Sequence, residues 1–241
     1  MIAIALMFHP GDAAQAHRLK KLIADNEELP REDVEFYTFA RADALHDEGE
    51  PSRQITIKFP RSTNDWTDSK ESGWPLGPNM MAHDVLKYFD HNADITRLDG
   101  VLLMEPDCIP VNKHWLNVLI SEWNEARSTG KVMMGAWRNS GPPCGHINGN
   151  CMVIPALASF LKSKGYDIAN FKTPIAWDCL IAPYLREDWA TTGRILNRFQ
   201  SFNCQPDDIA TPDLGDDPPV LVHGYKDDSC FNLAQKILKL P

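Results

Sequence analysis

The chain has 241 residues, 43% of them hydrophobic and 24% charged, with a formal net charge of -9. That length suits one α/β domain with a single substantial core, the acidic balance argues against general attraction to a phosphate backbone, and no stretch reaches the roughly 20 apolar residues of a membrane span. The six cysteines (Cys108, Cys144, Cys151, Cys179, Cys204, Cys230) show neither a C-x-x-C pair nor zinc-finger spacing, and the apolar start is too short for a secretory signal, so a cytoplasmic protein with reduced, mostly buried thiols is expected.

In chain order, Ile2 to Phe8 is an apolar run of the kind found in buried parallel strands. Asp12 is placed to cap a helix from Ala13 to Asn26, whose apolar positions Ala16, Leu19, Leu22 and Ile23 recur at helical spacing. Val34 to Phe39 and Ile55 to Phe59 read as strands, with a polar loop between them. Arg61 to Asn79 reads as a long polar loop holding Trp66 and Trp74, and a helix follows from Met80 to Phe89. Val101 to Met104 is a short buried strand, Trp115 to Arg127 an amphipathic helix, and Val132 to Trp137 another strand. Asn148 to Ile154 opens as a strand, Pro155 to Lys164 and Asp178 to Leu185 read as helical, and Val220 to Val222 is a last strand. Strands alternating with helices predict a mainly parallel central sheet flanked by helices on both faces.

Ligands in open α/β sheets bind beyond the carboxyl ends of the strands. Glu105 and Asp107 sit at such an end, two residues apart, so an extended backbone turns both side chains to one side. Two carboxylates there can hold a divalent cation and, through it, a diphosphate; two solvated loop acids are the plainer reading. Pro106 stiffens the segment between them.

Leu102-Leu103-Met104-Glu105-Pro106-Asp107 resembles the acidic strand-end motif of GT-A fold glycosyltransferases, with Glu in place of the usual first Asp. Gly145-His146-Ile147-Asn148-Gly149-Asn150 is similar to the family's glycine-containing turn at the donor sugar and acceptor. Pro174-Ile175-Ala176-Trp177-Asp178 resembles its acceptor-side acid segment, and Leu221-Val222-His223-Gly224-Tyr225-Lys226 its C-terminal His and Lys segment. The ordered set spans nearly the whole chain. It implies one domain over residues 1–241, with a nucleotide-sugar half (1–107) and an acceptor half (108–241). It also implies a UDP-sugar donor and Mn²⁺ or Mg²⁺.

The roles follow from that resemblance. Asp107 and His223 would be the metal ligands, with Glu105 at the metal, the ribose or the sugar. Asn148 and Gly149 would line the donor sugar. Gly224 would let backbone approach a phosphate, and Lys226 would meet the leaving diphosphate. Phe8, His9, Asp12 and Arg41, at the first two strand ends, would bind the nucleotide. Trp74, Gly77 and Asn79 would cover the donor, unless Trp74 only plugs the core. Asp178 would be the general base for the acceptor hydroxyl or the N-cap of the helix after it. Direct displacement would invert the anomeric centre.

Two rival functions remain at this stage. A nucleotidyltransferase is disfavoured by His9-Pro10-Gly11-Asp12-Ala13, which is not a glycine-rich basic loop. A non-catalytic nucleotide-sugar-binding module would not need Asp107, His223 and Asp178 together. Small anchor-free GT-A proteins resemble those of bacteriophages, some of which glucosylate hydroxymethylated pyrimidines in DNA. That likeness implies glucose as the sugar and a DNA acceptor, read by a local basic face of Arg18, Lys20 and Lys21, or of Arg194 and Arg198 on one helix face. A cell-surface or lipid-linked glycan is the competing acceptor.

Overall fold

The computed structural model describes residues 1–27, 29, 31–41, 54–59, 75–92, 97–139, 145–210 and 217–239. Its centre is a seven-stranded sheet, taken here in chain order: β1 (Ile2–Phe8), β2 (Val34–Arg41), β3 (Gln54–Phe59), β4 (Gly100–Met104), β6 (Met133–Arg138), β7 (His146–Val153) and β8 (Trp189–Thr191). In space the order is β3-β2-β1-β4-β7-β6-β8. The strands from β3 to β4 pair in parallel, as does β6 with β8, and β7 alone runs against both its neighbours. A smaller sheet of β5 (Cys108–Pro110), β10 (Leu221–Tyr225) and β9 (Ile195–Ser201) lies beside it, in the order β5-β10-β9.

Alternation along β1 builds a core on each face of the large sheet. Ile2, Ile4 and Leu6 pack with Leu19 and Ile23 of α1 (Ala13–Glu27) and with Trp115 and Trp123 of α3 (Trp115–Ser128). That core also takes in β9, β10 and α7 (Ser229–Leu238). Ala3, Ala5 and Met7 face the other way, toward α2 (Leu76–His91), α4 (Leu157–Ser163) and α5 (Trp177–Leu185). A last short helix, α6 (Pro206–Ala210), precedes β10. Burying one Leu or Ile completely contributes about 1.5–3 kcal/mol, so these two apolar faces fix the sheet between its helix layers. No helix among the described residues is long and apolar enough to cross a membrane.

The predicted fold class is the observed one, with several local differences. The helix predicted from Met80 begins at Leu76, so Gly77 and Asn79 lie in its first turn and not in a loop. The predicted glycine turn at 145–150 is strand from His146 onward. The segment carrying Arg198 is strand β9 and not a helix, with Arg194 just before it. The last strand extends through His223 to Tyr225 and belongs to the small sheet. Asp12 sits in a 3-10 turn ahead of α1.

Candidate functional site

The strand order turns back between β1 and β4: β2 and β3 lie to one side, while β7, β6 and β8 lie to the other. Such a reversal opens a crevice at the carboxyl ends of the two strands. Glu105 and Asp107 follow β4 at that crevice. They are not held together by an extended backbone, as the sequence spacing suggests. A β-turn joins β4 to β5, closed by Cys108 N–H donating to Glu105 O at 3.0 Å, with Pro106 at the turn position its fixed φ favours.

The antiparallel pairing of β5 with β10 sets His223 opposite Cys108 and so beside both acids. His223 Nε2 lies 3.0 Å from Glu105 Oε2 and 3.3 Å from Asp107 Oδ1. Lys226 Nζ donates to the other Asp107 oxygen at 2.5 Å. Gly224 makes this reach available: its φ of +106° is costly for residues with a Cβ, and the β9–β10 register shifts between His223 and Tyr225.

The charges tune one another. Burial acts to raise the Asp107 carboxyl, but hydrogen bonds and charge from His223 and Lys226 bring it down to about 2. Burial acts to lower the His223 imidazole, but Asp107 and Glu105 push it up to about 9. The Lys226 ammonium is likewise lifted by Asp107 against the effect of burial. One ligand atom from each of Glu105, Asp107 and His223 falls within a 4.8 Å group. Mg²⁺ with ligands at about 2.0–2.1 Å sets neighbouring donors about 2.9 Å apart. Two carboxylates and an imidazole at the measured 3.0 and 3.3 Å therefore fit a hard or borderline divalent cation.

On the far side of β4, β7 carries a polar ladder. Asn150 Oδ1 accepts from Glu105 N–H at 2.8 Å, and its Nδ2 faces Glu105 Oε2 at 3.4 Å. Asn148 Oδ1 accepts from Asn150 N–H at 3.1 Å. Between them, Gly149 N–H donates to Asp178 Oδ2 at 3.1 Å. Asp178 is in the first turn of α5, one residue past its start and not at the N-cap, and its Oδ1 accepts from Cys179 N–H at 2.9 Å. Burial pushes the Asp178 carboxyl above its ordinary value, with repulsion from Glu105 adding to it, while the charge of His146 pulls it down.

The other candidate residues are placed as follows. Asp12 senses the cluster: burial raises its carboxyl, His9 lowers it, and Asp107 and Glu105 raise it further. His9 Nδ1 accepts from Gly11 N–H at 2.8 Å, and its Nε2 is 3.4 Å from Asp12 Oδ2. Phe8 ends β1 with its side chain buried in the core. Arg41 ends β2; its side chain, like all of Trp74, lies outside the described residues. Gly77 is buried in α2. Asn79 is turned away from the donor role given to it. Its Nδ2 contacts Phe171 O at 2.9 Å, Thr173 O at 3.3 Å and Ile175 O at 2.7 Å. Its Oδ1 accepts from Trp177 N–H at 2.8 Å. Asn79 thus ties down the segment that delivers Asp178.

The proposed basic faces are largely committed elsewhere. Arg194 pairs with Glu122 at 2.8 Å and Asp217 at 2.9 Å. Arg198 donates to Asp208 O at 2.9 Å. Arg18 pairs with Asp228, Lys21 with Asp25, and Lys20 is buried. Sequence reasoning missed Asn150, although an Asn two residues from the singled-out Asn148 shares its face of the strand. It also missed the approach of His146 to Cys179, which no local pattern signals.

No protein family and no curated protein matches the chain. Solved structures do. An active-site mutant of LgtC superposes with a TM-score of 0.60 at 10% identity, covering 99% of this chain and 94% of that one. The fold is that of the GT-A glycosyltransferases. The galactosyltransferase LgtC in complex with donor and acceptor sugar analogues gives a TM-score of 0.58 at 12% identity over the same shares. A glycosyltransferase involved in glycosylating the major capsid of PBCV-1 gives 0.51 at 12% identity, with 99% of both chains covered.

Proposed function

We propose that this chain is a metal-dependent glycosyltransferase that moves a hexosyl group, glucose in the first instance, from a UDP-sugar to an acceptor hydroxyl. The observation that carries this reading is the convergence of Glu105, Asp107, His223 and Lys226 at the β1–β4 crevice of a GT-A fold, one strand away from the buried Asp178. Residues 1–107 would serve the nucleotide-sugar and 108–241 chiefly the acceptor.

Asp107 and His223 would hold Mn²⁺ or Mg²⁺, joined by Glu105. The bound cation would supply charge stabilisation to the departing diphosphate. Lys226, whose side chain is 45% exposed, swings from Asp107 to that same diphosphate. Asn148 and Gly149 line the donor sugar beside the cluster. Asp178 accepts the acceptor proton. Its raised carboxyl moves toward the pH range in which a general base works best.

The acceptor favoured here is a carbohydrate hydroxyl. Trp137, the last residue but one of β6, is register-paired with Ile147 at the start of β7 and is 39% exposed. An exposed indole offers an apolar face for a sugar ring. A hydroxymethylpyrimidine in DNA would have to leave the duplex stack and meet a chain of net charge -9 whose Arg194 is already paired.

The test is a panel of UDP-sugars with Mn²⁺, incubated with oligosaccharides, hydroxymethylated DNA or water alone. Release of UDP that depends on metal and is lost in Asp107→Ala supports the transferase, and the acceptor arm that gains a hexose by mass identifies the acceptor. Absence of UDP release and of donor binding across the panel refutes the reading.

A further inference from the structure

His223 has two ring nitrogens, and the acid cluster uses one of them. Nε2 faces Glu105 Oε2 at 3.0 Å and Asp107 Oδ1 at 3.3 Å. Nδ1 is buried and has no hydrogen-bond partner. Asn197 Oδ1 is likewise buried and without a partner. Buried polar atoms are nearly always paired, so two orphans in one three-stranded sheet call for a reason.

The topology puts them side by side. β10 is the middle strand of the small sheet, with β5 on one side and β9 on the other. Glu105 and Asp107 come in from the β5 side, whereas Asn197 stands on β9 in register with His223. Register partners on adjacent strands point to the same face of a sheet, with the strands about 4.8 Å apart. Both orphans are δ atoms, so they stand at the same depth above that face. A lean of roughly 1 Å by each side chain brings an N–H and an oxygen at that spacing to hydrogen-bond distance.

The chemistry of the pair is complementary. A histidine binds a cation through a nitrogen lone pair, and its proton then sits on the other nitrogen. With Nε2 turned to the acids, that proton falls on Nδ1, in a place closed to solvent. Metal-binding histidines almost always give this N–H to an acceptor, which fixes both tautomer and ring orientation.

We propose, on the reading of Glu105, Asp107 and His223 as a metal site, that Asn197 is the positioning residue for His223. Its Oδ1 accepts the Nδ1–H when a divalent cation is held, and so keeps Nε2 aimed at the ion. Asn197 touches neither cation nor substrate and acts only through the imidazole.

The probe is Mn²⁺ alone, titrated into the full chain without nucleotide-sugar and followed by the electron paramagnetic resonance of the free ion. Asn197→Leu keeps the branched side-chain skeleton and removes the acceptor, and Asn197→Asp keeps an oxygen there. Asn197→Leu should bind Mn²⁺ at least about tenfold more weakly than the parent, and Asn197→Asp at least as tightly as the parent. A second measurement needs no substitution at Asn197. In ¹⁵N imidazole spectra of the Mg²⁺-saturated parent, with His223 assigned by its loss in His223→Gln, Nδ1 should carry the proton and exchange it slowly with water. Where Asn197→Leu folds, that exchange should become fast; where it does not, the parent spectrum decides. Equal Mn²⁺ affinity in Asn197→Leu and the parent, or a fast-exchanging or unprotonated Nδ1 in the Mg²⁺-saturated parent, overturns the role of Asn197 and leaves the metal site standing. A parent chain that binds no Mn²⁺ overturns the metal reading and the role of Asn197 with it.

Discussion

Replacing Asn79 with Leu removes a hub while keeping the same branched skeleton of side-chain heavy atoms. Asn79 is fully buried. Its amide has two protons, shared among three carbonyls at 2.7, 2.9 and 3.3 Å, and its oxygen holds the Trp177 N–H at 2.8 Å. That makes three full hydrogen bonds and one weaker contact. At about 1 kcal/mol net for each, the loss is about 3 kcal/mol, with the stranded Trp177 N–H adding to it. For a chain of this size that corresponds to a melting temperature roughly 6–12 °C lower. Trp177 begins α5, and its neighbour Ala176 has no side chain able to cap the helix. The N-terminal turn of α5 should therefore loosen, and Asp178 with it. Thermal melts followed by circular dichroism give the stability. Steady-state kinetics should show turnover falling more than tenfold with donor affinity little changed, since a positioned base is worth at least that much. A variant that melts within about 2 °C of the parent but loses donor affinity would refute this reasoning and return Asn79 to the donor site.

Asp178→Asn should fold and bind donor while losing at least ~10² in turnover, and the acid limb of its pH–rate profile, expected above the ordinary aspartate range of 3.8, should vanish. In the metal-free protein, the raised His223 contributes stability that is complete below its ordinary value of 6.5 and lost as pH rises through about 9. Urea unfolding in chelator at pH 6.5 and 9.5 should show that loss, and His223→Gln should flatten it. Asn150→Ala leaves Glu105 without its partner, so the metal concentration for half-maximal activity should rise on the order of tenfold, as for other residues behind metal ligands. Gly100→Ala would place a methyl group 2.3 Å from Trp123 Nε1 in a filled core, so an overpacking loss of about 1–3 kcal/mol should appear in denaturant melts.

The sheet was legible where strands are long and apolar. β1 and β4 announce themselves because both of their faces are covered, and α1 and α3 through their periodic apolar stripes. The small sheet was not. β5 is three residues long and ends in proline, and it is stabilised by β10, more than 100 positions away. β9 was hidden because Arg194 and Arg198 suggested a helix face, and because the adjacent Ile195 and Leu196 are both buried and leave no apolar–polar alternation to mark a strand. Asp107 and His223 were found through the family pattern, but the reason they meet is this pairing, which no window of sequence contains. Glu105 was left open among metal, ribose and sugar because Glu stands where the family usually has its first Asp. The turn at Pro106 brings it to the same imidazole as Asp107. Asn79 was read as a loop residue because two prolines and a glycine precede it, a pattern that here opens a helix.

One strand explains how the two sides of the site keep their distance. β7 runs antiparallel to β4, so its first residues lie at the carboxyl end of β4, where the acids are. Side chains alternate along a strand, and here Asn148 and Asn150 share one face while Gly149 falls between them. Asn150 grips Glu105 by its backbone N–H, and Asn148 grips Asn150. Gly149 turns its own N–H to Asp178. A Cβ there would stand 3.1 Å from the Trp177 ring, so a larger residue asks that ring to give by a few tenths of an ångström. Three consecutive residues of β7 thus link the acid cluster to the buried carboxylate. The stretch is held at its two ends, where Ile147 and Cys151 pair with β6, while Asn148, Gly149 and Asn150 fall in the register shift between them and are tied by these side-chain hydrogen bonds. Positioning of this kind is where a transferase gains most, because two reacting groups held in place react as if at very high concentration.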